Sequence, residues 1–280
     1  MLIDLHTHSY VSDGTESPSE VIRAADVAGL DVVALTDHDS MAGLEEAAET
    51  AAAIGINFVP GIEVSCTHGG ISVHLLAYWP DPSHPDIVAM LNKTRTARVA
   101  RAREMVALIG VDYSLTWDAV VEHSGDAETI GRPHIADALV AAGAFATRDD
   151  AFTEVLAGKS AYFVPHYAPP VLDAIRTFRL TGAVPVMAHP GADGRGRVVP
   201  TTAIEEMARA GLVGLEVEHR DHTEMQRGRL ARIAERLDLV HTGASDYHGA
   251  GKLNQLGENV TSPAALEALQ ALRGQRAGSF

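Results

Sequence analysis

Short apolar segments that end in histidine or in an acidic residue recur along this chain, and they constrain its fold more than any other feature. The first segment, Leu2-Ile3-Asp4-Leu5, leads directly into His6-Thr7-His8. Side chains two residues apart in an extended chain point to the same side, so His6 and His8 can face one point. Other apolar segments, such as those that end at Asp37-His38 and at His189, follow the same pattern. We therefore expect strand ends that share a polar site.

Helical segments separate most of these predicted strands. Ser17-Pro18-Ser19-Glu20 predicts a capped helix start, and Gly29 its end. Alternation of strands and helices favours right-handed crossovers and a parallel sheet. A closed (β/α) barrel is favoured over an open sheet, because barrel strands direct their carboxyl ends to a single mouth. The predicted strands cover residues 2–6, 31–36, 57–64, 71–79, 183–188, 212–217 and 239–243.

The alternation stops in the middle of the chain, where helical patterns predominate. Helices are predicted at about 86–109, 116–123, 133–142 and 148–157, and no strand pattern separates them. The sequence therefore predicts an α/β barrel domain formed by residues 1–83 and 161–280. Residues 84–160 form a helical insertion in this interpretation. The chain after about residue 274 is expected to be frayed.

Charge and composition exclude several classes of partner. The 22 basic and 37 acidic residues give a net charge of −15, which argues against binding long duplex DNA. No apolar stretch is long enough to span a membrane, and the N-terminus does not resemble a signal peptide. The single cysteine, Cys66, cannot form an intramolecular disulfide and suits a reducing compartment. We expect a cytoplasmic protein.

The polar residues at the strand ends have the chemistry of metal ligands. Imidazoles and carboxylates together suit Zn²⁺, Mn²⁺ or iron. Their number exceeds the needs of one tetrahedral ion, so two or three ions are implied, with Glu63 as a bridge between them. Each residue also has a structural interpretation: Asp37 and Asp246 could cap helices, and His74 could be a buried neutral imidazole. These separate structural explanations would all have to hold at the same end of successive strands, so one shared metal site is the favoured interpretation.

Seven short motifs recur at these strand ends: D-L-H-T-H-S, S-D-G, L-T-D-H-D, G-I-E-V, V-H-L-L, A-H-P-G and S-D-Y-H. Together they closely resemble the motifs of the PHP family, the polymerase and histidinol phosphatase superfamily of metal-dependent phosphoesterases. The resemblance implies a distorted (β/α)7 barrel and a trinuclear metal centre. In the family pattern, Asp37 would orient neighbouring imidazoles. The implied ligands are His6, His8, Glu63 and Asp246 for the first metal, Glu63, His74 and His189 for the second, and Asp13, His38 and His248 for the third.

The helical insertion contains the segment Gly131-Arg132-Pro133-His134, and in this feature the chain resembles one branch of the family. That branch contains nucleoside-phosphate and bisphosphate phosphatases and a 5′-to-3′ exoribonuclease that acts on short RNA. Pro133 suits the first turn of a helix, which places Arg132 and His134 at a helix N-terminus, where anions bind readily. Alternatively, Arg132 pairs with an acid and His134 is merely exposed. Candidates for a second phosphate contact are Lys159, Arg195, Arg197, His219 and Lys252.

These observations predict a phosphoesterase in which metal-bound hydroxide attacks the phosphorus of a small phosphorylated substrate. A nucleoside monophosphate, a 3′,5′-bisphosphate or a short oligoribonucleotide would fit. The expected catalytic residues are Glu63, His134 and Asp246, and the expected substrate contacts are Arg132, His134 and His219. Two alternatives stay open: an amidohydrolase-type C–N hydrolase, and a non-catalytic metal-binding module.

Overall fold

Seven β-strands form one sheet in the computed structural model, which describes residues 1–125 and 127–275. Their order in the sheet follows their order in the chain. The strands are β1 (Ile3–Asp4), β2 (Val32–Leu35), β3 (Asn57–His68), β4 (Ile71–Tyr78), β5 (Val184–Met187), β6 (Gly214–Glu218) and β7 (Val240–Gly243). A parallel bridge between Thr7 and Tyr247 joins the two ends of the sheet, so the barrel is nearly closed. The prediction of a seven-stranded α/β barrel is confirmed.

One strand departs from the expected parallel arrangement. β4 pairs antiparallel with both β3 and β5, whereas the other neighbouring pairs are parallel. The cause is local: Gly69 and Gly70 both have positive φ and connect β3 to β4 without a helix. Because β4 runs in the opposite direction, its first half lies at the carboxyl ends of the parallel strands. His74 therefore lies near the mouth of the barrel although it precedes the end of its own strand.

The helices largely follow the predicted pattern. At the start of α1, Ser17 and Glu20 form the predicted capping box. A helix at the end of the chain, α10, was not predicted. The helices are α1 (Pro18–Val27), α2 (Leu44–Ile54), α3 (Pro85–Tyr113), α4 (Trp117–Ser124), α5 (Arg132–Ala141), α6 (Arg148–Ala151), α7 (Val171–Thr181), α8 (Thr201–Ala210), α9 (Glu224–Arg236) and α10 (Pro263–Leu272). A π-helical turn, Phe152–Leu156, continues α6.

The strands are buried on both faces, which explains their nearly continuous apolar sequences. In β2, Val32 and Ala34 belong to a cluster inside the barrel with Ile3 and Leu76. The alternate residues Val33 and Leu35 pack outward against α1 and α2. Among the described helices, none combines the length and apolar character required to cross a membrane. The predicted fraying concerns mainly residues 276–280, which lie outside the described residues.

Helices α3 to α6 share a hydrophobic cluster of their own. Met105 and Ile109 of α3 pack there with Val120 of α4, Ile135 of α5 and Leu156 of the π-helical turn. Polar contacts join these helices to loops at the strand ends. Glu128 accepts a hydrogen bond from Ser40 Oγ at 2.6 Å, and its backbone N–H donates to Val11 O. Arg98 of α3 donates to Asp39 Oδ2 at 2.6 Å.

Candidate metal centre

His6 and His8 leave β1 with their imidazoles on the same side, as predicted from their spacing. Their Nε2 atoms are 3.0 Å apart, and each lies 3.3 Å from Glu63 Oε2. Asp246, which follows β7, places Oδ1 3.5 Å from His6 Nε2 and 3.3 Å from His8 Nε2. All four side chains are buried. This first group therefore presents two nitrogens and two oxygens to one small space.

Glu63 lies at the centre of a second group. The isolated bridge between His38 and Glu63 holds these two residues side by side, and His38 Nδ1 lies 3.0 Å from Glu63 Oε2. On the other side, Glu63 Oε1 lies 2.8 Å from His74 Nδ1 and 3.1 Å from His189 Nε2. The two oxygens of Glu63 thus face different histidines, which is the arrangement that a bridging carboxylate requires.

A third group surrounds Asp13. Its Oδ1 lies 3.2 Å from His248 Nε2, and its Oδ2 lies 3.7 Å from His38 Nε2. His8 Nδ1 is 3.8 Å from Asp13 Oδ1. Therefore His8 faces the first group with Nε2 and the third with Nδ1, and His38 contacts both Glu63 and Asp13. The structure brings together all nine residues that the family resemblance implied as ligands.

The donor atoms fit a metal better than they fit one another. Ligand atoms about 2.1 Å from one ion lie roughly 3.0–3.5 Å apart, which matches the separations in the first group. His38 Nδ1 and His248 Nε2 lie close to carboxylate oxygens but are not aligned for a hydrogen bond, and both are buried without one among the described residues. Such unpartnered nitrogens are costly unless another group binds them. The donor set therefore fits divalent cations.

The local charges shift the pKa values of three of these imidazoles in different directions. Burial opposes protonation of His8, but Asp246 and Glu63 outweigh it and raise its pKa to about 9. Burial together with Arg195 lowers the pKa of His189 to about 3, and burial together with Lys252 does the same for His248. His189 and His248 are therefore ready to bind a cation at neutral pH. A cation at His8 must replace a proton.

Two turns that carry site residues have a backbone conformation that is uncommon for non-glycine residues. His189, two residues after the end of β5, has φ of 28°, and Asp246 has φ of 55°. Such conformations cost free energy and persist where the surrounding structure enforces them. Here they direct both side chains toward Glu63 and the first group.

Sequence reasoning missed two buried carboxylates beside the centre. Glu216 of β6 contacts His6 and the backbone of His189, and Asp4 accepts hydrogen bonds from the backbone N–H groups of Ser245 and Gly257. Each occupies a position in a buried apolar strand where an unpaired charge would be unfavourable. An acidic residue inside an otherwise apolar strand was therefore the sequence feature that could have identified them.

Asp37 acts less directly than the resemblance implied. In the described part of the chain it accepts hydrogen bonds from Ser9 Oγ at 2.7 Å and from Ser12 Oγ at 2.6 Å, and from no imidazole. Ser12 Oγ in turn lies 3.4 Å from His8 Nδ1. Asp37 therefore reaches His8 through a serine.

Arg132 begins α5, as predicted, but its guanidinium points into the insertion. It donates to Leu156 O at 3.0 Å and lies over the ring of Phe152. Arg98 and Arg101 line the same small pocket. Within residues 1–125 and 127–275, neither Arg101 nor Arg132 has a carboxylate partner. Burial and the neighbouring arginines lower the pKa values of both guanidinium groups, which is the signature of concentrated positive charge.

His134 is buried rather than exposed. Its Nδ1 accepts a hydrogen bond from the backbone N–H of Gly131 at 3.1 Å, so Nε2 carries the ring proton in the neutral form. His219 has the same tautomer, since its Nδ1 accepts from the N–H of Asp221 at 3.0 Å. The buried Nε2 of His219 lies 3.6 Å from Asp246 Oδ2.

Four further cations were candidates for a second phosphate contact, and two of them contact Asp246. Arg195 lies 2.7 Å and Lys252 lies 3.1 Å from Asp246 Oδ2. Burial opposes ionisation of Asp246, but these cations and the adjacent imidazoles hold its pKa well below the ordinary value. Arg197 instead donates to Gly70 O, and Lys159 is exposed.

Two curated relatives match nearly the whole chain. A 3′,5′-nucleoside bisphosphate phosphatase of Chromobacterium violaceum is 36% identical over 89% of this chain and 88% of its own length. A 5′-3′ exoribonuclease of Haemophilus influenzae is 32% identical over 92% of this chain and 93% of its own.

Solved structures give the same relationship. A Bifidobacterium adolescentis protein assigned as a metal-dependent phosphoesterase superimposes with a TM-score of 0.94 and 42% identity, covering 97% of this chain and 96% of its own. A Chromobacterium violaceum protein described as an amidohydrolase, with bound sulfate and no metal, gives a TM-score of 0.88 and 33% identity over 99% of both chains. The family model for the PHP domain matches residues 4–126. The chain belongs to the PHP domain family of metal-dependent phosphoesterases.

Proposed function

We propose that this protein hydrolyses phosphate esters of nucleotides, with a nucleoside 3′,5′-bisphosphate as the substrate class favoured over a short oligoribonucleotide. The observation that carries the proposal is the convergence of nine imidazole and carboxylate side chains, with Glu63 at the centre, together with Arg101 and Arg132, which have no carboxylate partner among the described residues. The first feature supports phosphoester chemistry, and the second supports recognition of an additional anionic group.

Three cations would be held by the three groups described above, with Glu63 shared between the first and second. Nitrogen and oxygen donors without sulfur support Zn²⁺, Mn²⁺ or iron as the metal. When bound, such ions lower the pKa of coordinated water and withdraw charge from phosphoryl oxygens. Asp246, held ionised by Lys252 and Arg195, would serve as a ligand rather than as a proton acceptor.

Arg132, Arg101 and Arg98 would bind an anionic part of the substrate. Arginine stays protonated at neutral pH even where burial lowers its pKa. Among the described residues, Arg98 alone of the three has an acidic partner, Asp39. A phosphate that contacts the other two would relieve their mutual repulsion and provide acceptors for their free N–H groups.

His134 and His219 would complete the contacts with substrate. In each ring Nδ1 already accepts a backbone hydrogen bond, so Nε2–H is the remaining donor. An imidazole in this tautomer can donate a hydrogen bond to a phosphoryl oxygen or to the leaving oxygen. Burial lowers the pKa of His134, which keeps it neutral at physiological pH.

The helical insertion, residues 84–160, would act as a cap over the barrel formed by residues 1–83 and 161–280. The separate hydrophobic cluster of α3 to α6 and the contacts of Arg98 and Glu128 with barrel loops support this division. The single buried thiol, Cys66, supports a cytoplasmic location.

A substrate comparison tests the proposal. Protein loaded with Mn²⁺ or Zn²⁺ is assayed with adenosine 3′,5′-bisphosphate, AMP, a 5′-phosphorylated RNA trimer and an N-acyl amide, with the Glu63→Gln variant as a control for contaminating phosphatases. We expect the bisphosphate to give the highest kcat/KM, through release of inorganic phosphate. Faster cleavage of the trimer would assign the substrate class to RNA. Hydrolysis of the amide alone would contradict phosphoester chemistry.

A further inference from the structure

Glu216 is a buried carboxylate that belongs to none of the three ligand groups. It lies in β6 between Leu215 and Val217, which pack outward in the main hydrophobic cluster. Because side chains alternate along a strand, Glu216 points into the barrel. It is 0% exposed, so its charge needs partners inside the protein.

The two oxygens of Glu216 have different partners. Oε1 accepts a hydrogen bond from His6 Nδ1 at 2.9 Å, and Oε2 accepts one from the backbone N–H of His189 at 2.8 Å. His6 belongs to the first ligand group, and His189 lies beside Glu63 Oε1 in the second. One carboxylate of β6 therefore connects strand ends that contribute to two groups.

One hydrogen bond fixes the tautomer of His6, and the other fixes the backbone turn at His189; metal binding requires both. When His6 Nδ1 carries the proton that Glu216 accepts, Nε2 keeps its lone pair and points toward His8, Glu63 and Asp246. The turn at His189 has φ of 28°, and the hydrogen bond to its N–H helps to hold this uncommon conformation. His189 Nε2 is thereby kept 3.1 Å from Glu63 Oε1.

We propose that Glu216 is a positioning residue that couples the first and second metal sites, so that both bind metal weakly when it is replaced. The inference rests on the ligand groups of the proposed function. Unlike Glu63, Glu216 provides no ligand atom to any of the three groups. Replacing Glu63 removes a ligand atom from two sites, whereas replacing Glu216 leaves every ligand in the chain.

The test measures metal binding and not turnover alone. Metal-free wild type, Glu216→Gln and Glu218→Gln are titrated with Zn²⁺ in competition with a chelating dye. Gln is nearly isosteric with Glu but cannot accept both hydrogen bonds with carboxylate strength. Glu218 lies two residues further along β6 and pairs with Arg227 and His241 at the surface, so it is the matched control.

For Glu216→Gln we expect affinity for two ions per chain to fall by about 10- to 100-fold, a range typical for residues that orient metal ligands. Turnover at saturating metal should recover to within about tenfold of wild type, and Glu218→Gln should match wild type throughout. Affinity within threefold of wild type for every ion would overturn the proposal, as would a loss confined to one ion. If Glu216→Gln does not fold without metal, Glu216→Asp is titrated instead, with the same criteria.

These outcomes do not depend on the identity of the substrate. A protein that hydrolyses no nucleotide but shows the two-ion loss would support Glu216 and contradict the proposed function. If the wild type hydrolyses phosphoesters but Glu216→Gln binds metal with unchanged affinity, the proposed function is supported and the role of Glu216 is contradicted.

Discussion

Glu63 Oε1 lies 2.8 Å from His74 Nδ1, and this contact exists because β4 runs against its neighbours. Because β4 forms an antiparallel hairpin with β3, the imidazole of His74 lies at the end of the barrel where β1 and β7 also end. The other oxygen of Glu63 faces His6, His8 and His38. Glu63 therefore has more contacts with candidate ligands than any other described carboxylate.

This central position predicts that Glu63→Gln is the most damaging single change to a metal ligand. It should remove at least two ions per chain and reduce phosphoesterase turnover on the order of 10³-fold, because an amide is a poor bridging ligand and stabilises less charge. His248→Asn is the comparison, since His248 belongs only to the third group, and it should remove one ion. Metal analysis of both variants checks this. Equal ion loss in the two variants would contradict the bridging role.

Arg132→Ala should leave metal content unchanged and weaken the reaction with phosphoesters. Loss of a charge-assisted contact to a phosphate removed from water costs about 2–4 kcal/mol, or roughly 30- to 1,000-fold in kcat/KM. Arg132→Lys should restore activity only partly, because an ammonium group cannot reproduce the planar fork.

The matched control for this series is Arg103→Ala. Arg103 also lies on the insertion, but it packs over Trp117, away from the pocket of Arg132. It should behave as wild type. If Arg132→Ala also stays within about threefold of wild type, the insertion does not recognise phosphate through this residue.

Metal binding to the metal-free protein should release protons, and affinity should rise with pH. The folded-state pKa of His8 is raised to about 9 from its ordinary 6.5, mainly because Asp246 and Glu63 overcome the effect of burial. The bound proton therefore stabilises the metal-free fold fully below pH 6.5, and this stabilisation is lost as pH rises through 9. Calorimetric titration with Zn²⁺ in buffers of different ionisation enthalpy measures proton release. Affinity that is constant from pH 6.5 to 9 would contradict protonation of His8.

The net charge of −15 predicts weak binding to long duplex DNA. Fluorescence anisotropy with a random duplex at physiological salt should show no saturable binding at micromolar protein. Tight binding that weakens steeply with added salt would reveal a basic surface that dominates over the overall charge.

The candidate ligands could be named from the sequence because most of them belong to short local patterns at or just after strand ends, and the family resemblance implied the full set. His6 and His8 follow from strand periodicity, and the strand ends follow from the convergence of parallel strands in a barrel. The reversal of β4 was not predicted, since its apolar pattern does not encode direction. Gly69-Gly70 between two adjacent strands was the available indication of a hairpin.

Residues that act through tertiary contacts were harder to find. Glu216 meets His6 from a strand 210 residues later, and no local pattern connects them. The orientation of Arg132 toward Leu156 depends on how the insertion packs, which the capping pattern at Pro133 does not specify. The sequence indicated that Arg132 begins a helix, but not which groups surround its guanidinium.

The number of bound ions that turnover requires tests the trinuclear centre most directly. Metal-free protein is reconstituted with increasing Mn²⁺ or Zn²⁺, bound metal is counted by elemental analysis, and phosphate release from adenosine 3′,5′-bisphosphate is measured on the same samples. The nine converging side chains predict that activity continues to rise until two to three ions are bound per chain. Full activity with one ion per chain, unchanged by further metal, would contradict a multinuclear centre.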